Sequence, residues 1–192
     1  MNASRFIFPA CLMFAVLNCS SGKEPNRLPV TPTASPQDAV TAAGLHGGLV
    51  VQLGSSDAST SARLSRTGRY LCHILDPSAK SIAAAQNFIR KNGRYGLSWA
   101  EQTNQPNRLP YAENVVNLII VRDYTVPVPE LLRVLTPGGS VVVVNQKVMA
   151  AEVLDHVDFE PVSKSGDYLI AVKQWPLEMD VWSHPRHAAD GN

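Results

Sequence analysis

The run of four valines at residues 141–144 constrains the fold of this chain more than any other feature of its sequence. A strand with one face in water alternates apolar and polar residues, whereas an unbroken run of β-branched residues is typical of a strand buried on both faces. Residues 115–121 form a second such run, interrupted only by Asn117. Because strands buried on both faces need helices on each side of the sheet, the two runs predict an α/β fold.

Strands and helices are predicted to alternate along most of the chain. Further strands are predicted at residues 49–53, 70–75, 97–100, 158–162 and 168–173. Helices are predicted at residues 35–44, 57–64, 78–91, 129–135 and 147–154, with Pro137-Gly138-Gly139 ending the fourth. This alternation predicts a Rossmann-like, doubly wound and mostly parallel sheet, and the last two strands predict an antiparallel pair at its edge.

The composition supports a folded domain and excludes several other classes of protein. The chain has 192 residues, of which 45% are apolar and 17% are charged, which is enough for one domain with a buried core. Seventeen basic and 16 acidic residues give a formal net charge of +1, so the charge gives no reason to expect binding to nucleic acid. Three cysteines are too few for a disulfide scaffold or a cysteine-rich zinc site.

Residues 1–22 have the pattern of an export signal. Arg5 is the single charged residue there, and the apolar run that follows it is shorter than a membrane-spanning helix requires. The residues up to Cys19 resemble a bacterial lipoprotein box, apart from Asn18, where a small residue is usual. We therefore predict an exported protein, either periplasmic or anchored in a membrane through a lipid on Cys19. The alternative is a hydrophobic N-terminus on a cytoplasmic protein. A proline-rich linker at residues 23–34 follows.

The ends of the first two predicted strands carry the pattern of an adenosine-binding site. Gly54 follows the first strand, where a glycine allows a tight turn and a close approach to a ligand. Asp76 follows the second strand, 22 residues later, where a carboxylate can accept hydrogen bonds from both ribose hydroxyls. This spacing does not separate nicotinamide dinucleotides from S-adenosylmethionine. The alternative is a tight turn in which Asp76 caps the helix that begins at Ser78.

Four segments together resemble a known family. They lie at residues 50–54, 75–77, 108–119 and 130–139, and the last, with its Pro-Gly-Gly before a strand, is the most specific. In this order they resemble the class I S-adenosylmethionine-dependent methyltransferases, in particular the small-molecule type with a terminal strand hairpin. The resemblance implies a class I methyltransferase fold, S-adenosylmethionine as cofactor and an unknown small-molecule acceptor.

The resemblance also implies the site residues. The implied cofactor-binding positions are Gln52, Gly54, Ser56, Asp76 and Pro77. Asp123, which follows the fourth strand, would face the substrate and is a candidate catalytic base. The alternative for Asp123 is a solvated loop residue.

Several positions depart from the pattern of that family. Gln52 stands where the family has an acid that orients the methionine part of the cofactor, and Ser56 and Ala58 stand where it has glycines. Residues 102–105 are neutral where the family often has an acid near the adenine amine, and Asn117 replaces a further acid. Three weakened contacts of about 1.5–3 kcal/mol each would lower the affinity for the cofactor by several powers of ten.

Three functions remain open from the sequence. The first is a methyltransferase that acts on an unknown small acceptor. The second is a catalytically inert, exported module of the same fold, used for interaction with a protein partner or for scaffolding. The third is a protein that binds a nicotinamide dinucleotide. Export favours the second, because S-adenosylmethionine is made and held in the cytosol.

Residues 175–192 are predicted to be a tail that follows the domain at residues 35–174. The tail resembles the junction in exported proteins of planctomycete type, where a methyltransferase-like domain precedes a quinoprotein-like β-propeller. This resemblance implies packing against a following domain. The two histidines and two aspartates of the tail are not predicted to bind a metal, because Pro185 prevents the histidines from sharing one helical face.

Overall fold

A mixed seven-stranded sheet organises the described part of the chain, which comprises residue 40 and residues 44–105, 107–145, 147–165 and 168–176 of a computed structural model. The strands are β1 (Gly48–Leu53), β2 (Tyr70–Asp76), β3 (Ser98–Gln102), β4 (Val116–Arg122), β5 (Leu135–Val144), β6 (Phe159–Ser165) and β7 (Tyr168–Lys173). Their order is β3-β2-β1-β4-β5-β7-β6. The strand β7 runs antiparallel to both of its neighbours, and the other pairs are parallel. The fold class predicted from the sequence is confirmed.

Several predicted segments lie outside the described residues. They are the export signal at residues 1–22, the linker at 23–34, most of the helix predicted at 35–44 and the tail beyond residue 176. Val40 is described, is helical and is buried in the apolar cluster on one face of the sheet. In the part of the chain that the structure describes, no helix is long and apolar enough to cross a membrane.

Helices cover both faces of the sheet. They are α1 (Ala58–Leu64), α2 (Ala79–Lys91), α3 (Val128–Val134) and α4 (Lys147–Asp155). The apolar clusters place α1 and α2 on one face and α3 and α4 on the other. In α2, Ile82, Ala85 and Ile89 recur at the spacing of one helical face and are buried, while Ser78 caps the N-terminus by accepting from the Ser81 N–H. The sheet therefore buries its central strands on both sides, as the valine run predicts.

The strand β5 begins earlier than the sequence predicts. We expected a helix that ends at Pro137-Gly138-Gly139 and a strand that starts at residue 141, but α3 ends at Val134 and β5 begins at Leu135. The pairing with β4 jumps from Val116–Leu135 to Leu118–Ser140, so residues 136–139 bulge out of the ladder. Gly138 has a φ of +75°, which a glycine adopts without strain. The predicted boundary was wrong because the Pro-Gly-Gly segment lies inside an irregular strand.

The described residues of the connection from β3 to β4, 103–105 and 107–115, contain no helix. The connection crosses the face that α3 and α4 cover and packs Leu109 and Tyr111 against it. Its backbone is held by two charged side chains, because the Leu109 N–H donates to Glu130 Oε1 at 2.6 Å and Arg133 Nη1 donates to the Tyr111 carbonyl at 2.9 Å. The Tyr111 hydroxyl also lies 2.6 Å from His73 Nδ1 on β2. These contacts replace the packing that a crossover helix would supply.

Candidate functional site

The ends of β1, β2 and β4 meet at one edge of the sheet, called here the carboxyl edge. The strand order reverses between β1 and β4, and open α/β sheets bind ligands beyond the carboxyl ends of the strands at such a point. Gly54 and Ser56 follow β1, Asp76 ends β2, and Asp123 follows β4. The structure thus brings these four predicted site residues to the same edge.

Gly54 is required by the close approach of two strand ends. Its φ is +92°, and a Cβ at this position would lie 1.8 Å from the carbonyl oxygen of Arg122, which ends β4. The Gly54 N–H donates to the Leu75 carbonyl at 2.8 Å, so the residue also continues the contact with β2. The packing of β1 against β4 is sufficient to explain this glycine without a ligand.

Gln52 is fully buried and holds the loop that follows β1. Its Nε2 donates to the carbonyls of Gly54 and Asp57 at 2.9 and 3.1 Å, and its Oε1 accepts from Ser61 Oγ at 2.8 Å. Both hydrogens of the amide are therefore used within the chain. This side chain acts as a structural brace, and it presents no group to a ligand ammonium.

Asp76 is occupied by residues of the chain itself. Its Oδ2 accepts from both the N–H and the hydroxyl of Ser55, each at 2.8 Å, and its Oδ1 accepts from the Ser78 N–H at 2.7 Å. A carboxylate has about four acceptor positions, and three of them are filled here. A ribose diol, which needs two, would have to displace Ser55. The capping alternative weighed from the sequence is wrong in detail, because Ser78 is the N-cap of the helix and Asp76 holds the Ser78 N–H in the turn before it.

Pro77 and Asn117 also form hydrogen bonds within the chain. Pro77 is exposed, and its carbonyl accepts from Gln102 Nε2 at 2.8 Å. Asn117 lies at the opposite, amino end of β4, where its Oδ1 accepts from the Leu49 N–H at 2.9 Å. Asn117 therefore joins β1 to β4 and does not belong to the carboxyl edge.

A short hydrogen bond ties the loop after β1 to the loop after β4. Ser56 Oγ donates to Asp123 Oδ2 at 2.6 Å, and Asp123 is held at a φ of +47°, which is uncommon for a non-glycine residue. Beside it, Arg122 Nη2 lies 3.8 Å from Asp57 Oδ2. Burial alone would raise the pKa of Asp57, but hydrogen bonds from the Ser59 and Thr60 hydroxyls and the Arg122 charge leave the pKa below its ordinary value.

Tyr124, which follows Asp123 in the loop after β4, fills part of the same edge. Its side chain is buried and lies near the side chains of Thr103, which follows β3, and Asp76. Burial raises the pKa of Tyr124, the Thr103 hydroxyl opposes that shift, and the Asp76 charge adds to it. An aromatic ring from the β4 loop therefore lies across the edge toward β3.

These residues do not fit S-adenosylmethionine. The ribose acceptor Asp76 and the loop carboxylate Asp123 are both bonded to serines of the β1 loop. The side chain at the position of the missing acid, Gln52, points into the loop and is satisfied there. Among the described residues, no group of three or more His, Cys, Asp or Glu side chains could hold a metal ion, and the tail histidines lie outside those residues.

Comparison with known proteins identifies the fold. No protein-family model and no curated protein matches the sequence. Among solved structures, a protein of Methanococcus maripaludis assigned as an S-adenosyl-L-methionine-dependent methyltransferase is similar with a TM-score of 0.58 and 17% identity, over 74% of this chain and 84% of that one. A SAM-dependent methyltransferase of Aquifex aeolicus is similar with a TM-score of 0.57 and 16% identity, over 71% of this chain and 87% of that one.

A third structure shows that this fold serves other chemistry. The [4+2]-cyclase SpnF is similar with a TM-score of 0.52 and 20% identity, over 66% of this chain and 59% of that one.

The similarity to the two methyltransferase structures shows that the chain has the class I methyltransferase fold, as the resemblance implied. Because a fold does not specify an activity, the function has to be argued from the carboxyl edge.

Proposed function

We propose that this chain is a methyltransferase-fold module that does not use S-adenosylmethionine and that serves as an exported interaction or scaffolding module. The observation that carries the proposal is a set of three hydrogen bonds. Ser55 donates two of them to Asp76, and Ser56 donates the third to Asp123. Asp76 and Ser56 are predicted cofactor contacts and Asp123 is the predicted base, and all three are instead hydrogen-bonded within the chain.

Cofactor binding would exchange hydrogen bonds within the chain for hydrogen bonds to the cofactor. A ribose that displaced Ser55 from Asp76 would replace existing hydrogen bonds instead of adding new ones, so this carboxylate would contribute little net affinity. Binding would also separate Ser56 from Asp123 and would leave the cofactor ammonium beside the neutral, fully bonded Gln52. Two contacts weakened by about 2 kcal/mol each would lower the binding free energy by about 4 kcal/mol. A loss of that size turns a micromolar dissociation constant into a millimolar one.

The predicted export signal supports the same proposal. An exported domain that works outside the cytosol has no obvious supply of S-adenosylmethionine. We propose that the mature chain is periplasmic or anchored through a lipid on Cys19, where a module without cofactor chemistry can still bind a partner.

The experiment is calorimetric titration of the purified chain with S-adenosylmethionine and with S-adenosylhomocysteine. The expected result is no binding up to about 1 mM, or roughly −4 kcal/mol, from a sample that circular dichroism shows to be folded. Micromolar binding that Asp76→Ala abolishes would overturn the proposal, provided that Asp158→Ala, an exposed acid away from the carboxyl edge, leaves binding unchanged.

The second candidate is an active methyltransferase with an unknown small acceptor. It is favoured by the placement of Gly54, Asp76 and Asp123 at one edge of this fold, with Asp123 as the base. The antiparallel β6–β7 pair and the similar solved structures favour S-adenosylmethionine over a nicotinamide dinucleotide as its cofactor. The same titration separates the two candidates, because this one requires binding that depends on Asp76.

A further inference from the structure

We infer that the groove between α3 and α4 binds a basic, partly apolar segment of a partner protein. The inference rests on the proposed role as an interaction module and names the chemistry of its partner. The α3–α4 groove has a volume of about 630 Å³ and lies between the segment that begins α3 and the end of α4. Its lining includes Val126, Pro127, Pro129, Glu152, Asp155 and His156.

The base of the groove is apolar. Pro127 and Pro129 are exposed around the start of α3 and supply its apolar surface, whereas Val126 and Val128 are buried in the core cluster. On α4, Val148 is 75% exposed and lies four residues before Glu152 and seven before Asp155, so the three share one helical face. A ligand in the groove would therefore meet aliphatic surface as well as the two carboxylates.

Among the described residues, neither Glu152 nor Asp155 takes part in an ion pair, and the Nδ1 of His156, which also lines the groove, lies 3.6 Å from Asp158 Oδ2 instead. Glu152 and Asp155 both stand in the last turn of α4, where the helix dipole disfavours negative charge, and that turn carries no basic residue. The helices α1, α2 and α3 each carry arginine or lysine in the last turn: Arg63 in α1, Arg90 and Lys91 in α2, and Arg133 in α3. Helix stability therefore does not explain these acids.

Charge complementarity selects the occupant. Two unpaired carboxylates above an aliphatic base suit a lysine or arginine side chain, which has an apolar stem and a cationic end. Neighbouring apolar residues of the same segment would pack on Val148 and Pro129. The same carboxylates repel the phosphates of a nucleic acid, and the chain's net charge of +1 gives two copies no mutual attraction.

The test is a fluorescence-anisotropy titration of the purified chain with a labelled octapeptide of alternating lysine and leucine. We expect saturable binding that weakens as salt is added. The variant Glu152→Gln/Asp155→Asn should bind about tenfold more weakly, because it loses both ion pairs with the peptide. The loss should be no larger, because each solvent-exposed ion pair contributes little. Its Tm should stay the same or rise, because the unfavourable charges at the end of α4 are gone. The matched control Glu113→Gln/Glu160→Gln removes two exposed acids outside the groove and should bind like the wild type.

Several results would overturn the inference. They are no binding by the wild type, unchanged affinity in the groove variant, equal loss in the control, and equal binding of a glutamate–leucine octapeptide or of duplex DNA. A fall in Tm in the groove variant would also count against it, since the acids would then be structural. Peptide binding by a chain that also binds S-adenosylmethionine would sustain the groove and overturn the proposed function, so the two failures are distinguishable.

Discussion

Replacing Gly54 by alanine should destabilise the domain more than the backbone conformation alone requires. The added Cβ would lie 1.8 Å from the Arg122 carbonyl oxygen and 2.9 Å from its carbonyl carbon, so β1 or β4 must shift. Gly68 provides the matched control, because its φ of +70° is also in the left-handed region but a Cβ there meets nothing within 4 Å. The two glycines differ chiefly in the clash.

The magnitudes follow from these two environments. Gly68→Ala should cost about 1–2 kcal/mol, the strain of a left-handed alanine. Gly54→Ala should cost that strain plus about 1–3 kcal/mol for overpacking between two strand ends. The measurement is urea unfolding followed by far-ultraviolet circular dichroism, with the free energies of unfolding compared at equal m-values.

Equal losses for the two variants would refute the reasoning. In that case the close approach of the Arg122 carbonyl would not explain the glycine at position 54. The close approach of a ligand would then be the better explanation. A larger loss for Gly54→Ala, measured without any cofactor, would show that the residue serves the packing of β1 against β4.

Three further perturbations test other parts of the structure. Gln52→Leu should lower the free energy of unfolding by about 2–4 kcal/mol, because a buried hydroxyl and two carbonyls lose their partner, and a loss under 1 kcal/mol in urea unfolding would contradict the bracing role. Burial lowers the pKa of His73 to about 4, so the folded state binds fewer protons than the unfolded state between that value and 6.5. Stability should be greatest above pH 6.5 and fall by up to about 3 kcal/mol toward pH 4, and His73→Gln should flatten that fall in urea unfolding at stepped pH. Lys173→Met should cost about 1–3 kcal/mol, because Lys173 Nζ donates at 2.8 Å to the carbonyls of Leu132 and Leu135 at the end of α3, and an unchanged Tm would refute this cap.

Much of the fold could be predicted because its signals are local. The central strands are mostly apolar runs, interrupted by Gln52 in β1 and Asn117 in β4, and α2 shows both an N-cap serine and a buried stripe at helical spacing. The bulge at residues 136–139 could not be predicted, because Pro-Gly-Gly breaks a helix and an irregular strand equally well. The sheet register decides between them, by pairing Leu135 with Val116.

The sequence by itself determined which side chains reach the carboxyl edge, since a residue directly after a parallel strand must lie at that end of the sheet. It also showed that the acid and two glycines of the resembled family are replaced by Gln52, Ser56 and Ala58. Only the tertiary structure decided what these side chains bind. Ser56 and Asp123 are 67 residues apart, and their hydrogen bond depends on β1 and β4 being neighbours. Hydrogen-bond partners at such separations are set by strand order and register, which local sequence patterns do not encode.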